Sequence, residues 1–415
     1  MNRTFALVVG MAAVYSLLFV QAQMHRMGGA VIAPALSLEL KLSASDLGLI
    51  IGTMFLASAA TQPISGILLD RFGPVRAVAY MTPLAVCGML IFAWTDSVTS
   101  LTIGRAMIGS GFGCVISGLY IFLLGWVDRK NFTTAAATIQ ALPGTASVFI
   151  ASTPLAIMLA EVGRGPVFTG LAAMTVVIVG LVVLTVREGP LSTRKTRTPE
   201  TLRQSIAGIG MIIRQRRFMW LAAFSVTAIG PAISVIGLLS GVFLRERFGL
   251  DTAQLGNTVL VLLIALNLGG VIYGPLDRWT GRRKMVVTGG IITQMVMLVA
   301  LSALPGLGFW PTVVLLTAFA SVSQVHALVV AHAQSLFGPE LAGRVITTNN
   351  LFMIGGIFLF QMGSGRAYDL FTHTFGASAE DGYRLTFIAL AACQAIGLMF
   401  YSQAPNPLRK AKDAA

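Results

Sequence analysis

The stretch GILLDRFGPVR at residues 66–76 is a charged turn, interrupted by Gly and Pro, between two long apolar segments. It recurs in altered form as GPLDRWTGRRK at residues 274–284. Gly66 maps onto Gly274 and Gly73 onto Gly281 at one offset of 208 residues. The sequence preceding the turn, residues 42–48, repeats at the same offset with a helix-start signal in each copy. The chain is therefore predicted to consist of two copies of one structural unit.

The composition identifies the class of protein. Of the 415 residues, 55% are hydrophobic and only 11% are charged, and the mean hydropathy is +0.80. A chain with so little polar surface is predicted to be a polytopic membrane protein. The net charge of +13 does not indicate a nucleic-acid partner, because the basic residues cluster at the ends of apolar runs.

Twelve apolar runs are long enough to cross about 30 Å of hydrocarbon. In lipid each must satisfy its own backbone hydrogen bonds, so all twelve are predicted to be helices. They begin near Phe5, Leu47, Val75, Leu101, Thr133, Gly165, Phe218, Ala253, Met285, Pro311, Val345 and Leu385. The predicted domains are a six-helix half at residues 1–186, a basic cytoplasmic linker at 187–217 and a second six-helix half at 218–415.

The distribution of Lys and Arg predicts the topology. An even number of spans places both termini on one side, and 21 of the 29 basic residues lie on that side. Both termini are therefore predicted to be cytoplasmic. In the linker, Thr198 can open a cationic amphipathic helix that lies along the cytoplasmic lipid headgroups. Its apolar face consists of Leu202, Ile206, Ile209 and Ile213. A plain solvated tether is the alternative.

These features together resemble the major facilitator superfamily of secondary membrane transporters. The resemblance rests on the Gly-x-x-x-Asp-Arg-x-Gly turn after span two, its imperfect copy after span eight, and LTIGRAMIGSG at residues 101–111 in span four. It covers nearly the whole chain. It implies an all-α membrane protein with twelve transmembrane helices in two pseudo-symmetric six-helix halves, working by alternating access.

The same resemblance implies that the two turns form the gate. Asp70 is expected at the cytoplasmic mouth near the start of span eleven, where it favours one conformation through helix-dipole and Arg contacts. Asp277 is expected to serve the other half, although its Asp is shifted by one residue relative to the Gly that follows. The alternative is that these charges only report topology. The candidate gating residues are Gly66, Asp70, Arg71, Gly73, Arg76, Asp277, Arg278 and Gly281.

Arg26 is the principal candidate for binding a substrate. A charge within a span costs roughly 2.5–3.5 kcal/mol, so it usually faces a cavity or a partner. Gln23 shares its helix face at a spacing of three. The spacing of Arg26 to Pro34 resembles the first span of organophosphate and organic-anion members, in which this Arg binds the anionic group. Span seven has no matching Arg or Lys, which favours a monoanion or carboxylate. The alternative is a structural or snorkelling Arg26.

Further polar residues within spans are candidates for lining a substrate site. They are Gln140, Asn267, Gln324 and His326. Each has interhelical hydrogen bonding as its alternative role. Arg105 in span four resembles an Arg linked to proton coupling, with a structural hydrogen bond as the alternative.

The predicted function is secondary or facilitative transport of a small anionic organic solute. Alternatives are a non-transporting scaffold or sensor of the same fold, and an exporter of an apolar or cationic compound. No catalytic constellation, metal site, cofactor or nucleotide-binding loop is visible in the sequence, so an enzyme or an ATP-driven pump is not predicted. The expected partners are the solute, a coupling ion and membrane lipid, with no nucleic acid, and the protein is expected to be a monomer. Short termini and loops favour a bacterial inner membrane.

Overall fold

A computed structural model of the protein describes residues 3–190, 202–303, 306–337 and 341–406. Within these ranges the regular structure is helical and contains no strand. The predicted helix start at Thr198 lies outside the described residues. The helices are α1 Arg3–Met27, α2 Gly29–Leu40, α3 Ala44–Ala60, α4 Gln62–Trp94, α5 Val98–Gly111, α6 Val115–Trp126, α7 Arg129–Ile150, α8 Thr153–Val162, α9 Arg164–Thr185, α10 Leu202–Ile213, α11 Arg216–Ser234, α12 Ser240–Phe248, α13 Thr252–Thr280, α14 Arg283–Ala303, α15 Phe309–Val322, α16 His326–Ser335, α17 Ala342–Asp369 and α18 Ala379–Gln403.

Eleven helical segments of the described chain are long and apolar enough to cross a membrane. The remaining span is span two, which is divided between α3 and the first part of α4. Gly73 ends this span inside α4, because its backbone leaves the helical region at φ 78° and ψ 172°. Span three follows directly from Pro74 to Trp94. The all-α fold with twelve spans is thus confirmed.

Spans one and seven are irregular at matching positions. Span one is interrupted at Gly28, between α1 and α2. Span seven contains a π-helical turn at Val235–Leu239, between α11 and α12. The offset of 208 residues maps Gly28 onto residue 236 inside that turn, so both copies of the repeat interrupt the α-helix at equivalent positions. π-Helical turns occur often at functional sites.

The packing divides the chain into two compact units. The first comprises Met1–Leu40, Thr53–Ser205 and Asp251–Leu260. Within it, α4 packs against α5 and α9, and α1 packs against α7. Its buried centre is aromatic and is formed by Tyr15, Phe19, Phe92, Phe112, Phe122 and Phe168.

The second unit comprises Lys41–Gly52, Ile206–Leu250 and Val261–Ala415. Here α11 packs against α17 and α18, and α14 packs against α18. One buried cluster includes Phe218, Phe224, Val287, Val325 and Tyr401.

Helix α10 of the linker joins this cluster through Ile212, which is fully buried. Leu202 and Ile206, on the predicted apolar face, are exposed. The helix is therefore attached to the bundle at its C-terminal end, while its first turns present apolar side chains outward. Exposed Leu and Ile beside Arg203 suit the interface between lipid headgroups and acyl chains.

Candidate functional site

Arg26 lies in the last turn of α1, two residues before the helix is interrupted at Gly28. Its guanidinium donates to Ser58 Oγ at 2.9 Å and, over a longer 3.4 Å, to Gln23 Oε1. The expected sharing of a helix face by Arg26 and Gln23 is thus visible in the contact between them. Among the described residues, no carboxylate lies within ion-pair distance of Arg26.

Ser58 was not a sequence candidate, although it completes this polar group. It lies on α3 of span two and is buried. A serine in an apolar run is too common for the sequence to single it out, and only the packing of span two against span one brings it to Arg26. Two neutral acceptors leave most of the five N–H donors of the Arg26 guanidinium available to an anion.

Two candidates of the second half, Gln324 and His326, are neighbours in the second unit. Gln324 and His326 lie in and just after the short 3₁₀ turn Ser323–Val325 that joins α15 to α16. The His326 ring contacts the Ser323 carbonyl oxygen through Nδ1 at 3.3 Å. A Cβ built on Gly270 would lie 4.0 Å from the Gln324 side chain, and Asn267 is one helical turn earlier on α13.

Two of the predicted polar candidates are not buried. Asn267 is exposed, and its side-chain amide donates to the Leu263 carbonyl of its own helix at 2.9 Å. Gln140 on α7 is also exposed. An apolar run predicts a span but not which face of that span is covered, and the assignment of both residues to a substrate site stays a prediction.

Arg105 and His25 form a second polar group inside the first unit. Arg105 is fully buried, and its Nη2 donates to the backbone carbonyl of His25 at 3.2 Å. The His25 ring lies between Phe112 and Phe168, at centroid distances of 5.7 and 5.8 Å. The Arg105 guanidinium lies 5.8 Å from the centre of the Phe92 ring. Arg105 therefore ties span four to the interrupted part of span one, next to Arg26.

The sequence candidates for gating lie at two turns with the same backbone feature. Gly73 and Gly281 both have positive φ, 78° and 58°. In the second turn, Asp277 Oδ2 accepts from Arg283 Nε at 3.0 Å and Nη2 at 2.7 Å. Gly66, Arg71 and Arg76 in the first turn, and Arg278 in the second, are exposed.

Asp70 is half-buried at the end of span two, within the first unit.

In the second turn Lys284 donates to the Ser402 and Ala404 carbonyls, at 2.8 and 2.7 Å. It thereby satisfies carbonyls at the C-terminal end of α18, where a cation also complements the helix dipole.

The other buried amides serve interhelical contacts. Asn349 Oδ1 on α17 accepts from Ser225 Oγ on α11 at 2.7 Å. Gln394 Nε2 on α18 donates to Gln294 Oε1 on α14 at 2.8 Å. Both bonds cross helix pairs that pack extensively, so these amides stabilise the second bundle.

A chain of twelve apolar helices with repeated Gly-containing turns and a positively charged group within span one has the features of a multi-pass membrane transporter. The Major Facilitator Superfamily model matches residues 14–361. The chain therefore belongs to the Major Facilitator Superfamily, and it is a transporter of that type and a multi-pass integral membrane protein.

Two curated relatives match at low identity. The probable sulfoacetate transporter SauU of Cupriavidus necator is 24% identical over 287 residues, which span 66% of each chain. The uncharacterized MFS-type transporter YhjX of Escherichia coli is 23% identical over 339 residues, or 80% of this chain and 79% of the relative.

Solved structures share the fold. A mutant form of the nucleoside transporter NupG has a TM-score of 0.78 at 13% identity, covering 95% of this chain and 99% of that chain. A bacterial homolog of the human lysosomal transporter Spinster, in its unoccupied form, has a TM-score of 0.71 at 15% identity, covering 97% and 98%. At such identities the likeness concerns the fold alone.

Proposed function

We propose that this protein transports a small anionic organic solute across the membrane by alternating access, with Arg26 binding the anionic group. The observation that carries the proposal is the Arg26 group itself. A guanidinium lies within span one, and among the residues that the structure describes it donates to the neutral oxygens of Ser58 and Gln23. A charge inside a span is costly unless it is matched, and an anionic solute supplies the matching charge.

One of the two curated relatives supports the same class of solute. Sulfoacetate, which names the relative SauU, carries a sulfonate and a carboxylate. Both groups accept paired hydrogen bonds from a guanidinium. The second half offers Gln324, His326 and Asn267 as neutral polar groups for the remainder of a solute, and Gln140 is the corresponding candidate of the first half.

The setting of the transporter completes the proposal. The excess of basic residues on the side of the termini supports cytoplasmic termini in a bacterial inner membrane. We assign 1–186 and 218–415 as the two pseudo-symmetric halves and 187–217 as the linker. Lipid surrounds the bundle and headgroups bind the exposed start of α10. The working unit is a monomer without a cofactor or an enzymatic activity, and Arg105 is the candidate residue for coupling to an ion.

Ligand-induced thermal stabilisation of the purified protein tests the proposal. The probes are sulfoacetate, acetate, uridine and tetraphenylphosphonium, added separately to the wild type, Arg26→Gln and Arg366→Gln. Arg366 is an exposed residue of α17, so its variant loses one positive charge without touching the Arg26 group. A ligand stabilises the state that it binds.

We expect the anions to raise the melting temperature of the wild type and of Arg366→Gln, but not that of Arg26→Gln. An anion response that survives in Arg26→Gln would overturn the role of Arg26. Stabilisation by tetraphenylphosphonium alone would instead identify a carrier of apolar cations. Uptake of the stabilising anion into proteoliposomes then separates a transporter from a sensor that only binds it.

A further inference from the structure

A single carboxylate joins the start of span two to the end of span eleven. Asp369, the last residue of α17, accepts from the backbone N–H of Ala44 through Oδ1 at 3.2 Å and from that of Ser45 through Oδ2 at 2.7 Å. All three residues belong to the second compact unit. Each carboxylate oxygen thus binds one amide of the first turn of α3.

The first turn of α3 needs this outside acceptor. A helix leaves its first four N–H groups without intrahelical partners. At this end, the Ser43 side chain accepts from Asp46 N at 3.1 Å, while Asp46 accepts from Ser43 N at 3.3 Å in a capping box. That local cap satisfies the third residue of the helix. The two N–H groups that it leaves, those of Ala44 and Ser45, are the ones that Asp369 takes.

The two helices approach closely enough for this contact because glycines line their crossing. A Cβ on Gly48 of α3 would collide with the Gln361 carbonyl of α17. A Cβ on Gly365 of α17 would collide with the Ala44 carbonyl. Gly52 continues the crossing one turn further, where a Cβ would lie 3.2 Å from the Phe358 ring. The backbones are in direct contact, so the short Asp side chain reaches the amides.

The carboxylate also lies in a favourable field. The N-terminus of a helix carries about half a positive charge, which an anion stabilises. The Asp369 side chain is only 17% exposed, so water screens this attraction weakly. An acid near the C-terminal end of its own helix gains nothing from that helix dipole. The helix dipole that stabilises Asp369 is therefore that of α3, and His373, in the turn after α17, lies 3.9 Å from Asp369 Oδ1 through its Nε2.

We propose that Asp369 is a gating latch that holds span two against span eleven on the side of the membrane opposite the termini. Opening that side requires the two bonds to break and the first turn of α3 to be rehydrated. The proposal rests on transport by alternating access and on the topology given above. Asp70 is expected to act at the other end of span two, so one span carries an acidic latch at each end and the two latches favour opposite states.

The distance between spin labels at Lys41→Cys and Phe375→Cys tests the latch without any substrate. Lys41 precedes α3, Phe375 follows the π-helical turn after α17, and both side chains are exposed. The native Cys87, Cys114 and Cys393 are first replaced by Ser or Ala. Pulsed electron resonance then gives the distance distribution in the parent, in Asp369→Ala and in Asp369→Asn, all in lipid nanodiscs.

We expect one short distance to dominate in the parent. In Asp369→Ala the ratio of a longer distance to the short one should rise about 2- to 30-fold, the range for loss of an N-cap acceptor. Asp369→Asn should show a smaller rise, because its amide oxygen still accepts one bond without the charge. The matched control is Asp381→Ala, which removes an acid paired with Arg384 at the start of α18.

Unchanged distributions in both Asp369 variants, or an equal change in Asp381→Ala, would overturn the latch. If Asp369→Ala does not fold, Asp369→Asn decides the matter alone. A failed latch would leave the response of Arg26 to anions untouched, so failure of this inference and failure of the proposed solute class are separate results.

Discussion

The two copies of the turn, at residues 66–76 and 274–284, both contain a glycine with positive φ, but their charged residues differ. Gly73 and Gly281 occupy equivalent positions, and both adopt positive φ. Each turn reverses the chain between two long spans, and the conformation that allows the reversal suits glycine. The shared element is therefore a glycine with positive φ at the point where the chain reverses.

The acidic residue distinguishes the copies. Asp277 stands four residues before its glycine and binds Arg283 of the same turn through two hydrogen bonds. Asp70 stands three residues before its glycine, and the residue equivalent to Arg283 is Val75. The second turn thus neutralises its carboxylate locally, whereas the first cannot do so in the same way. The first copy keeps the Gly-x-x-x-Asp-Arg-x-Gly spacing that the second copy has lost, and we expect the first to be the gating copy.

The largest effect should come from removing the local ion pair of the second turn. Asp277→Asn should lower the free energy of unfolding by about 1.5–3 kcal/mol, since the bonds are charge-assisted and both side chains are largely buried, at 15% and 25% exposure. Chemical denaturation in detergent measures it. In a double-mutant cycle with Arg283→Gln the two losses should be strongly non-additive. Additive losses would mean that the pair contributes little and that the two turns are closer in character than their contacts indicate.

The next largest loss of stability should come from replacing the glycines of the two turns. Gly73→Ala should cost about 1–3 kcal/mol, because φ 78° with ψ 172° is a region almost confined to glycine. Gly281→Asn should cost less than Gly73→Asn, since Asn tolerates φ near 58°. Thermal melting of the three variants gives the order. Equal losses at the two sites for Asn would show that the turns are less different in backbone than their angles suggest.

Of these substitutions, Asp70→Asn should change the free energy least. Its effect should be seen most clearly in the rate of transport. Asp70→Asn should alter the balance between conformations by about 0.3–1 kcal/mol, a two- to fivefold change in initial uptake rate. The melting temperature should hardly move. Uptake into proteoliposomes, corrected for reconstituted protein, is the measurement. Asp277→Asn, matched in chemistry, serves as the comparison, and an equal loss of rate in both variants would contradict a specialised first turn.

The repeat, the twelve spans and the place of Arg26 could all be read from residue order. Apolar run length predicts a span because the hydrocarbon thickness is constant, and the helical period places Gln23 beside Arg26. The division of span two between two helices was not predicted, although Thr61 followed by Pro63 in the first turn of α4 is a helix-start signal. The assignment of Gln140 and Asn267 to a substrate site stays a prediction, and both side chains are exposed.

The contacts between distant segments could not be predicted from the sequence, and the physical reason is the same for all of them. Ser58 reaches Arg26 across 32 residues, Arg105 reaches the His25 carbonyl across 80, and Asp369 reaches Ser45 across 324. The residues next to each member of such a pair in the sequence do not indicate that it will contact a distant segment. Which helix faces meet depends on how side chains of the whole bundle fill space, with small residues permitting the closest approach.

Residue order alone was sufficient to predict the class of protein, the number of spans and the expected side of the termini. The membrane constrains each segment separately: a span must match the hydrocarbon thickness, satisfy its own backbone hydrogen bonds and follow the distribution of basic residues between the two sides. Residue order also located the one cation within span one. Tertiary packing alone decided that Arg26 binds Ser58, that Arg105 braces span one, and that the glycines of α3 and α17 let Asp369 cap a helix of another span. Those contacts join segments far apart in the chain, and each exists only when every other helix is in place.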